Sequence, residues 1–220
     1  MIGPRVQKWL SGYLEAEGYA GGREISPAQL ARLARLKEMV LSAGLNLTAI
    51  RDPDAFDVKH IMDSMTLLPL VAPGLRVADL GAGAGFPGLV LAIMRPDLDI
   101  SLIEAKKKKA AFIAAAAAGL GLANARAVPA RSEDMAGAGF GAVAARAVAD
   151  LGRLCRLAFP IMARGGTLLA MKGPGAADEI ERALPALRRL GGSVEYVKRA
   201  DLGGEASRCI VGIRKSAGPQ

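Results

Sequence analysis

Along residues 1–70 the apolar positions recur at helical intervals. Ser26-Pro27 reads as an N-cap with proline at the first helical position. Behind it Leu30, Leu33, Ala34, Leu36, Lys37, Val40 and Leu41 fall every three or four residues, which predicts a helix. Asn46-Leu47-Thr48 breaks the pattern. Arg51-Asp52-Pro53-Asp54 reads as a turn with a fresh cap, and Phe56 to Leu70 resumes the helical spacing until Pro73-Gly74. No strand pattern precedes residue 75.

From there short β-type runs alternate with longer helical ones. Arg76–Leu80, Ile100–Glu104, Ala125–Val128, Gly141–Ala145, Thr167–Met171, Val194–Lys198 and Cys209–Arg214 read as strands. Gly85–Met94, Lys106–Leu120, Asp150–Met162 and Ala176–Leu190 read as helices. Such alternation predicts an α/β fold with a parallel sheet and right-handed crossovers. The last two strands have no helix between them, so one is expected to be antiparallel. The chain is thus expected to divide into a helical subdomain over 1–74 and a sheet domain over 75–220.

In an open α/β sheet the ligand sits beyond the carboxyl ends of the strands. The first strand ends in Asp79-Leu80 and runs into Gly81-Ala82-Gly83-Ala84-Gly85-Phe86-Pro87-Gly88. Glycines allow sharp turns and close ligand approach. A dinucleotide loop would read G-x-G-x-x-G; here Phe86 takes the third glycine's place. Bulk and a lost donor at Phe86-Pro87 disfavour a phosphate at the helix entrance, which points to a cofactor without phosphates, of which S-adenosylmethionine (AdoMet) is one. A structural glycine turn is the alternative. Glu104, at the end of the second strand, is placed to accept from a ribose diol; NAD satisfies this equally, and a solvated Glu would look the same. The third strand leads to Arg131-Ser132-Glu133-Asp134, where Ser132 and Glu133 are candidates to read an adenine edge. Arg146 ends the fourth strand. A lone arginine there is costly to bury, so it is expected to face the cofactor and acceptor cleft.

Charge sharpens the picture. The net charge is +8 over 220 residues; residues 1–75 balance eight basic against eight acidic side chains, so the excess lies in 76–220. A polyanion, most simply nucleic acid, is the natural partner, although a genome that favours arginine gives the same sum. Lys106, Lys107, Lys108 and Lys109 open a helix, where cations oppose the macrodipole; a passing phosphate backbone would explain them, and so would a solvated face. Aromatics are only 4% of the chain, leaving the core to aliphatic side chains. Cys155 and Cys209 form neither a disulfide framework nor a metal spacing and are expected to be small buried hydrophobes. The N-terminus lacks the apolar core of a signal peptide, and no apolar stretch is long enough to span a bilayer, so a cytoplasmic protein without a metal is expected.

These residues together resemble the bacterial 16S ribosomal RNA guanine-N7 methyltransferase family, also called the glucose-inhibited-division-B or RsmG family. The resemblance covers about residues 27–214. It rests on Asn46-Leu47-Thr48 with Arg51-Asp52-Pro53, on His60-Ile61-Met62-Asp63-Ser64, on the Asp79–Gly88 loop, and on Arg131-x-Glu133, Arg146-Ala147 and Lys172-Gly173. Two positions depart from the family pattern: Val40-Leu41-Ser42-Ala43-Gly44 replaces an aromatic and basic stretch, and Ala105 replaces a serine. The resemblance implies a Rossmann-like, seven-stranded AdoMet-methyltransferase sheet beside an N-terminal helical subdomain. It also implies AdoMet contacts at Gly81, Phe86, Ser132, Glu133 and Arg146, beside which the loop and strand ends make Asp79, Gly83 and Glu104 further cofactor-binding candidates. The expected partner is 16S rRNA or the 30S particle, engaged by a monomer through Lys106–Lys109 and Lys172.

Guanine N7 carries an in-plane lone pair and no proton, so a shortage of general bases is no obstacle. Arg146 is expected to orient the acceptor through its N7 and O6. His60 and Asp63 lie three apart on one helical face and are expected to tie the helices to the sheet and cap the glycine loop from outside. The competing classes are an AdoMet-binding RNA module without turnover and an NAD-linked oxidoreductase.

Overall fold

The computed structural model describes residue 2 and residues 4–19, 24–203 and 207–217. Helix α1 (Pro4–Ala16) comes first, with Val6, Leu10 and Leu14 buried. Helix α2 (Pro27–Ser42) opens on a full capping box: Gln29 N donates to Ser26 Oγ, and Ser26 N donates to Gln29 Oε1. Its apolar stripe includes Lys37, as the spacing implied, and the buried ammonium meets Asp57 at 2.8 Å.

The next helical stretch departs from the expected pattern. It starts as α3 (Pro53–Phe56), capped by Asp52, widens to a π-helix over Asp57–Met62, and returns to α geometry as α4 (Asp63–Met65). A 3-10 turn, Leu68–Leu70, ends it. Apolar spacing does not separate a π turn from an α turn over so few residues.

Seven strands make up the sheet: β1 (Arg76–Leu80), β2 (Asp99–Ile103), β3 (Ala125–Val128), β4 (Phe140–Arg146), β5 (Met162–Lys172), β6 (Gly192–Asp201) and β7 (Ser207–Lys215). Their order is β3-β2-β1-β4-β5-β7-β6. β7 runs antiparallel to both neighbours and the remaining pairs are parallel. The crossover helices are α5 (Gly88–Met94), α6 (Lys107–Gly119), α7 (Leu151–Ala158) and α8 (Ala176–Leu190). Successive strand residues alternate between two cores. Val77, Ile100 and Leu169 pack with Leu10, Leu33, Phe56 and Leu89 on one face. Ala78, Val143 and Leu168 pack with Leu154, Phe159 and Leu187 on the other. The N-terminal helices therefore share a core with one face of the sheet.

Several element boundaries differ from expectation, β6 and β7 by extending at both ends, and three have a local cause. α5 starts at Gly88 rather than Gly85, because the glycine loop turns until there, with Gly85 at φ +93°. α7 gives way after Ala158 to a 3-10 turn over Phe159–Ile161; Pro160 cannot donate the next helical hydrogen bond. β5 starts at Met162 and carries Gly165-Gly166 inside it. A Cβ on Gly166 would stand 3.0 Å from the Phe140 carbonyl, so the pair marks an irregular strand crossing rather than a loop. Among the described residues no helix is long and apolar enough to cross a membrane.

Candidate active site

The glycine loop is pinned to the end of β2. Gly81 N and Ala82 N both donate to Ile103 O, at 2.9 and 3.0 Å. Gly81 holds φ +71°, and a Cβ there would stand 2.9 Å from Val148 Cγ2. Gly83 N donates to Glu104 Oε2 at 3.0 Å, while Lys106 N donates to Glu104 Oε1 at 2.8 Å. Glu104 thus sets the shape of the loop and caps the entry to α6, with lone pairs remaining on both oxygens. Gly88 N donates to Asp79 Oδ2 at 2.7 Å. The other carboxyl oxygen, Asp79 Oδ1, is buried without a partner among the described residues. Burial pushes the Asp79 carboxyl up to about 7, against the pull of the Gly88 amide and Arg146.

A cavity of about 230 Å³ opens beyond the ends of β1 and β2, walled by Gly81, Ile103, Ala105, Ser132, Glu133 and Val148. Of the candidate cofactor residues it brings together Gly81, Ser132 and Glu133, while Asp79, Gly83 and Glu104 shape the loop beside it without lining it. Ser132 is buried and donates from Oγ to Glu133 Oε2 at 3.0 Å.

Phe86 lies elsewhere. Its ring is buried against the N-terminal helices, stacked on His60 at 4.7 Å and edge-on to Phe56 at 5.7 Å. The bulk expected at the mouth of α5 is turned into the helix–sheet seam.

Arg146 is the centre of that seam. Its Nη1 donates to Lys59 O at 2.8 Å and to Asp63 Oδ2 at 3.0 Å. Nη2 lies 2.9 Å from His60 Nδ1, and the guanidinium carbon sits 5.5 Å from the Phe86 ring centre. Arginine offers only donors, so Nδ1 accepts and the imidazole proton rests on Nε2. Nε2 then donates to Thr48 Oγ1 at 2.8 Å, which also accepts from Ile50 N. Burial first, then Arg146 and Arg208, push His60 down to about 3. It is a neutral structural hydrogen-bonding group at pH 7. The link expected between His60, Asp63 and the sheet domain is present, and it runs through Arg146.

Beside this seam is a second cleft, of about 740 Å³, lined by Lys59, Arg146, Lys172, Glu179, Arg182 and Arg208. Val148 lines both it and the smaller cavity. Arg208 does not stand out in the sequence pattern. From β7 its Nε stands 2.8 Å from Asp63 Oδ1, an ion pair without hydrogen-bond alignment. The reasoning that singles out Arg146, a lone arginine at the end of an apolar strand, applies equally at Ser207-Arg208-Cys209. Asp63, fully buried, is therefore held between two arginines from neighbouring parts of the sheet.

Two lysine expectations come out differently. The Lys172 ammonium donates to Ala149 O at 2.7 Å and pairs with Glu179 at 2.6 Å. Glu179 Oε2 in turn accepts from Leu151 N at the start of α7. Lys172 thus lines the cleft while its charge is spent on fixing the wall. Lys106, Lys107 and Lys108 are exposed and Lys109 half-buried at the start of α6, and none lines either cavity. Both cysteines are buried, with burial pushing the Cys155 thiol up to about 12.

The family model for GidB, rRNA small subunit methyltransferase G, matches residues 29–205. The "Ribosomal RNA small subunit methyltransferase G" of Sorangium cellulosum is 46% identical over 73% of this chain and 68% of its own. The protein of that name from Bordetella avium is 38% identical over 91% and 90%. Among solved structures, Pyrococcus horikoshii TYW2 in complex with MeSAdo superposes with a TM-score of 0.56 at 13% identity, covering 88% of this chain and 65% of that one; this likeness concerns the fold.

Proposed function

The chain belongs to the GidB family, rRNA small subunit methyltransferase G, and on that premise we propose that it methylates N7 of a guanine in 16S rRNA of the small subunit. The observation that carries this reading is the pairing of two cavities across Val148. One is walled by Gly81, Ser132 and Glu133 at the ends of the strands. The other is large and rimmed by cations.

The residues present fit AdoMet. Asp79 presents a buried, unpartnered oxygen, Glu104 keeps lone pairs for a ribose, and Gly81 leaves the cavity wall bare where a side chain would intrude. Asp79, Gly81, Gly83, Glu104, Ser132 and Glu133 would hold the cofactor, and Phe86 would back the loop from behind. AdoMet supplies a methyl group on a sulfonium, which leaves as a neutral thioether.

Everything else asked of the protein is positioning and charge control. N7 has no proton to remove, which suits a cleft whose only histidine is neutral with both ring nitrogens engaged. Arg146 acts as a positioning residue: three of its contacts go to Lys59, Asp63 and His60. Arg208 pairs its Nε with Asp63 and lines the cleft, where its guanidinium would meet the acceptor. A guanidinium fork of that kind matches the O6/N7 edge of guanine.

The test is methyl transfer from labelled AdoMet to 16S rRNA and to 30S particles, with mass mapping of the RNA afterwards. One 7-methylguanosine in the small-subunit RNA is the expected product. Label on an exocyclic amine or a ribose would reject the N7 assignment. Binding of AdoMet without transfer to either substrate would favour a module without turnover.

A further inference from the structure

The catalytic clefts do not account for a third cavity on the far side of the helical segment. It measures about 570 Å³ and is walled by Arg5, Lys8, Trp9, Tyr13, Met62 and Arg199. Trp9 and Tyr13 lie one helical turn apart on α1, and their rings stack at 5.1 Å with only 7° between planes. Both polar ends are anchored: Trp9 Nε1 donates to Asp201 O at 2.7 Å and Tyr13 Oη to Thr66 O at 2.9 Å. Arg5 donates to Gly203 O, so α1 is held against the β6–β7 end of the sheet. The result is a preformed, flat aromatic surface at the edge of the sheet, with three cations, Arg5, Lys8 and Arg199, around it beside two carboxylates, Glu17 and Asp201.

Between this cavity and the acceptor cleft is a smaller one of about 230 Å³ lined by Gly173, Val197, Arg199 and Arg208. Gly173 and Arg208 also line the acceptor cleft, and Arg199 also lines the Trp9 cavity. Arg182, Arg208, Arg199 and Lys8 therefore mark a basic path from the acceptor cleft to the Trp9–Tyr13 pair. Along it Val197 is one of the two large apolar side chains the described surface exposes, at 47%. Single-stranded RNA is recognised by such a combination: cations that track the phosphates, and aromatic faces on which splayed bases stack.

We propose that the RNA strand flanking the target guanine runs along this path and that one of its bases stacks at the Trp9–Tyr13 cavity. This rests on the RNA-methyltransferase reading above. It assigns the RNA path to the β6–β7 edge of the sheet rather than to Lys106–Lys109 at the start of α6.

Trp9 is the only tryptophan in the chain, so its fluorescence reports this cavity alone. A short single-stranded RNA of mixed sequence, titrated into the full-length protein, should quench Trp9 saturably. The same oligonucleotide made abasic should not. The double variant Lys8→Gln/Arg199→Gln lies outside both catalytic cavities and should bind AdoMet as the parent does. It should bind the RNA about tenfold more weakly, with the slope of log K against log salt reduced by about 1.4, or about 0.7 for each cation. Trp9→Leu, assayed by filter binding, should weaken RNA binding by about tenfold, within the range of one lost base stack. Quenching that survives in the abasic RNA, or a salt slope unchanged in the double variant, would overturn the path. So would ultraviolet crosslinking of Trp9 on 30S particles to a ribosomal protein in place of RNA. Loss of AdoMet binding or of methyl transfer by the parent would instead count against the function itself, and the two failures are read in separate assays.

Discussion

Single side chains decide whether the loop and the seam hold their shape. At Gly88 a Cβ would come within 2.7 Å of both Asp79 Oδ2 and Leu102 Cδ2. Gly88→Ala is therefore expected to displace Asp79 and weaken AdoMet binding by at least tenfold in calorimetric titration, with the sheet intact by circular dichroism. Arg146→Ala would leave the buried Asp63 with Arg208 alone. That should cost about 3 kcal/mol by urea unfolding and depress kcat more than AdoMet affinity, since Arg146 shapes the cleft rather than the cofactor cavity. The pH response carries two opposed contributions. Unfolded His60 takes up its proton near 6.5 while the folded form stays neutral down to about 3, so stability falls as pH drops below 6.5. Unfolded Asp79 loses its proton near 3.8 while the folded form keeps it up to about 7, so stability falls as pH rises from about 4 to about 7. Between about pH 4 and pH 6.5 the two offset each other. Asp79→Asn removes the second, so its urea midpoint should climb across that window more steeply than that of the parent. An equal slope in both proteins would show that Asp79 titrates normally.

At the scale of elements, the sheet was legible because period-2 burial and glycine punctuation are local signals. Arg76–Leu80, Ala125–Val128 and Ala176–Leu190 match their expected bounds, and Lys37 fell on the apolar stripe because its buried ion pair occupies a core position. The glycine loop, Glu104, Ser132 and Glu133 were legible for the same reason: strand ends converge in this topology. The seam was not wholly legible, because Arg208 lies far along the chain from the Asp63 it meets and the π turn leaves no mark in the spacing. That turn has a structural role. Widening the helix over Asp57–Met62 brings the Lys59 carbonyl, His60 and Asp63 to one guanidinium. Deleting one residue there, the exposed Lys59, would restore an α pitch with the flanking turns still in phase, and would take away the carbonyl that Arg146 Nη1 meets. The expected outcome is retained helix content, a lowered unfolding midpoint and loss of methyl transfer.

Across the whole molecule, the helical segment and the sheet are one cooperative body. They share a core on one face and are joined at the Arg146 seam and again where α1 meets the last hairpin. Thermal unfolding monitored by Trp9 fluorescence should coincide with unfolding monitored by far-ultraviolet circular dichroism; an earlier Trp9 transition would mean that residues 1–74 unfold separately. The contact between α1 and the last hairpin also has a consequence for synthesis. Arg5 and Trp9 find their acceptors at Gly203 and Asp201, nearly the full chain away, and Asp63 waits for Arg208. Before the hairpin is made, α1 lacks its anchors at Asp201 and Gly203 and the acidic centre of the seam lacks its second arginine. The β6–β7 hairpin thus closes the site, and a polypeptide stopped short of it has no complete cleft in which to hold a base.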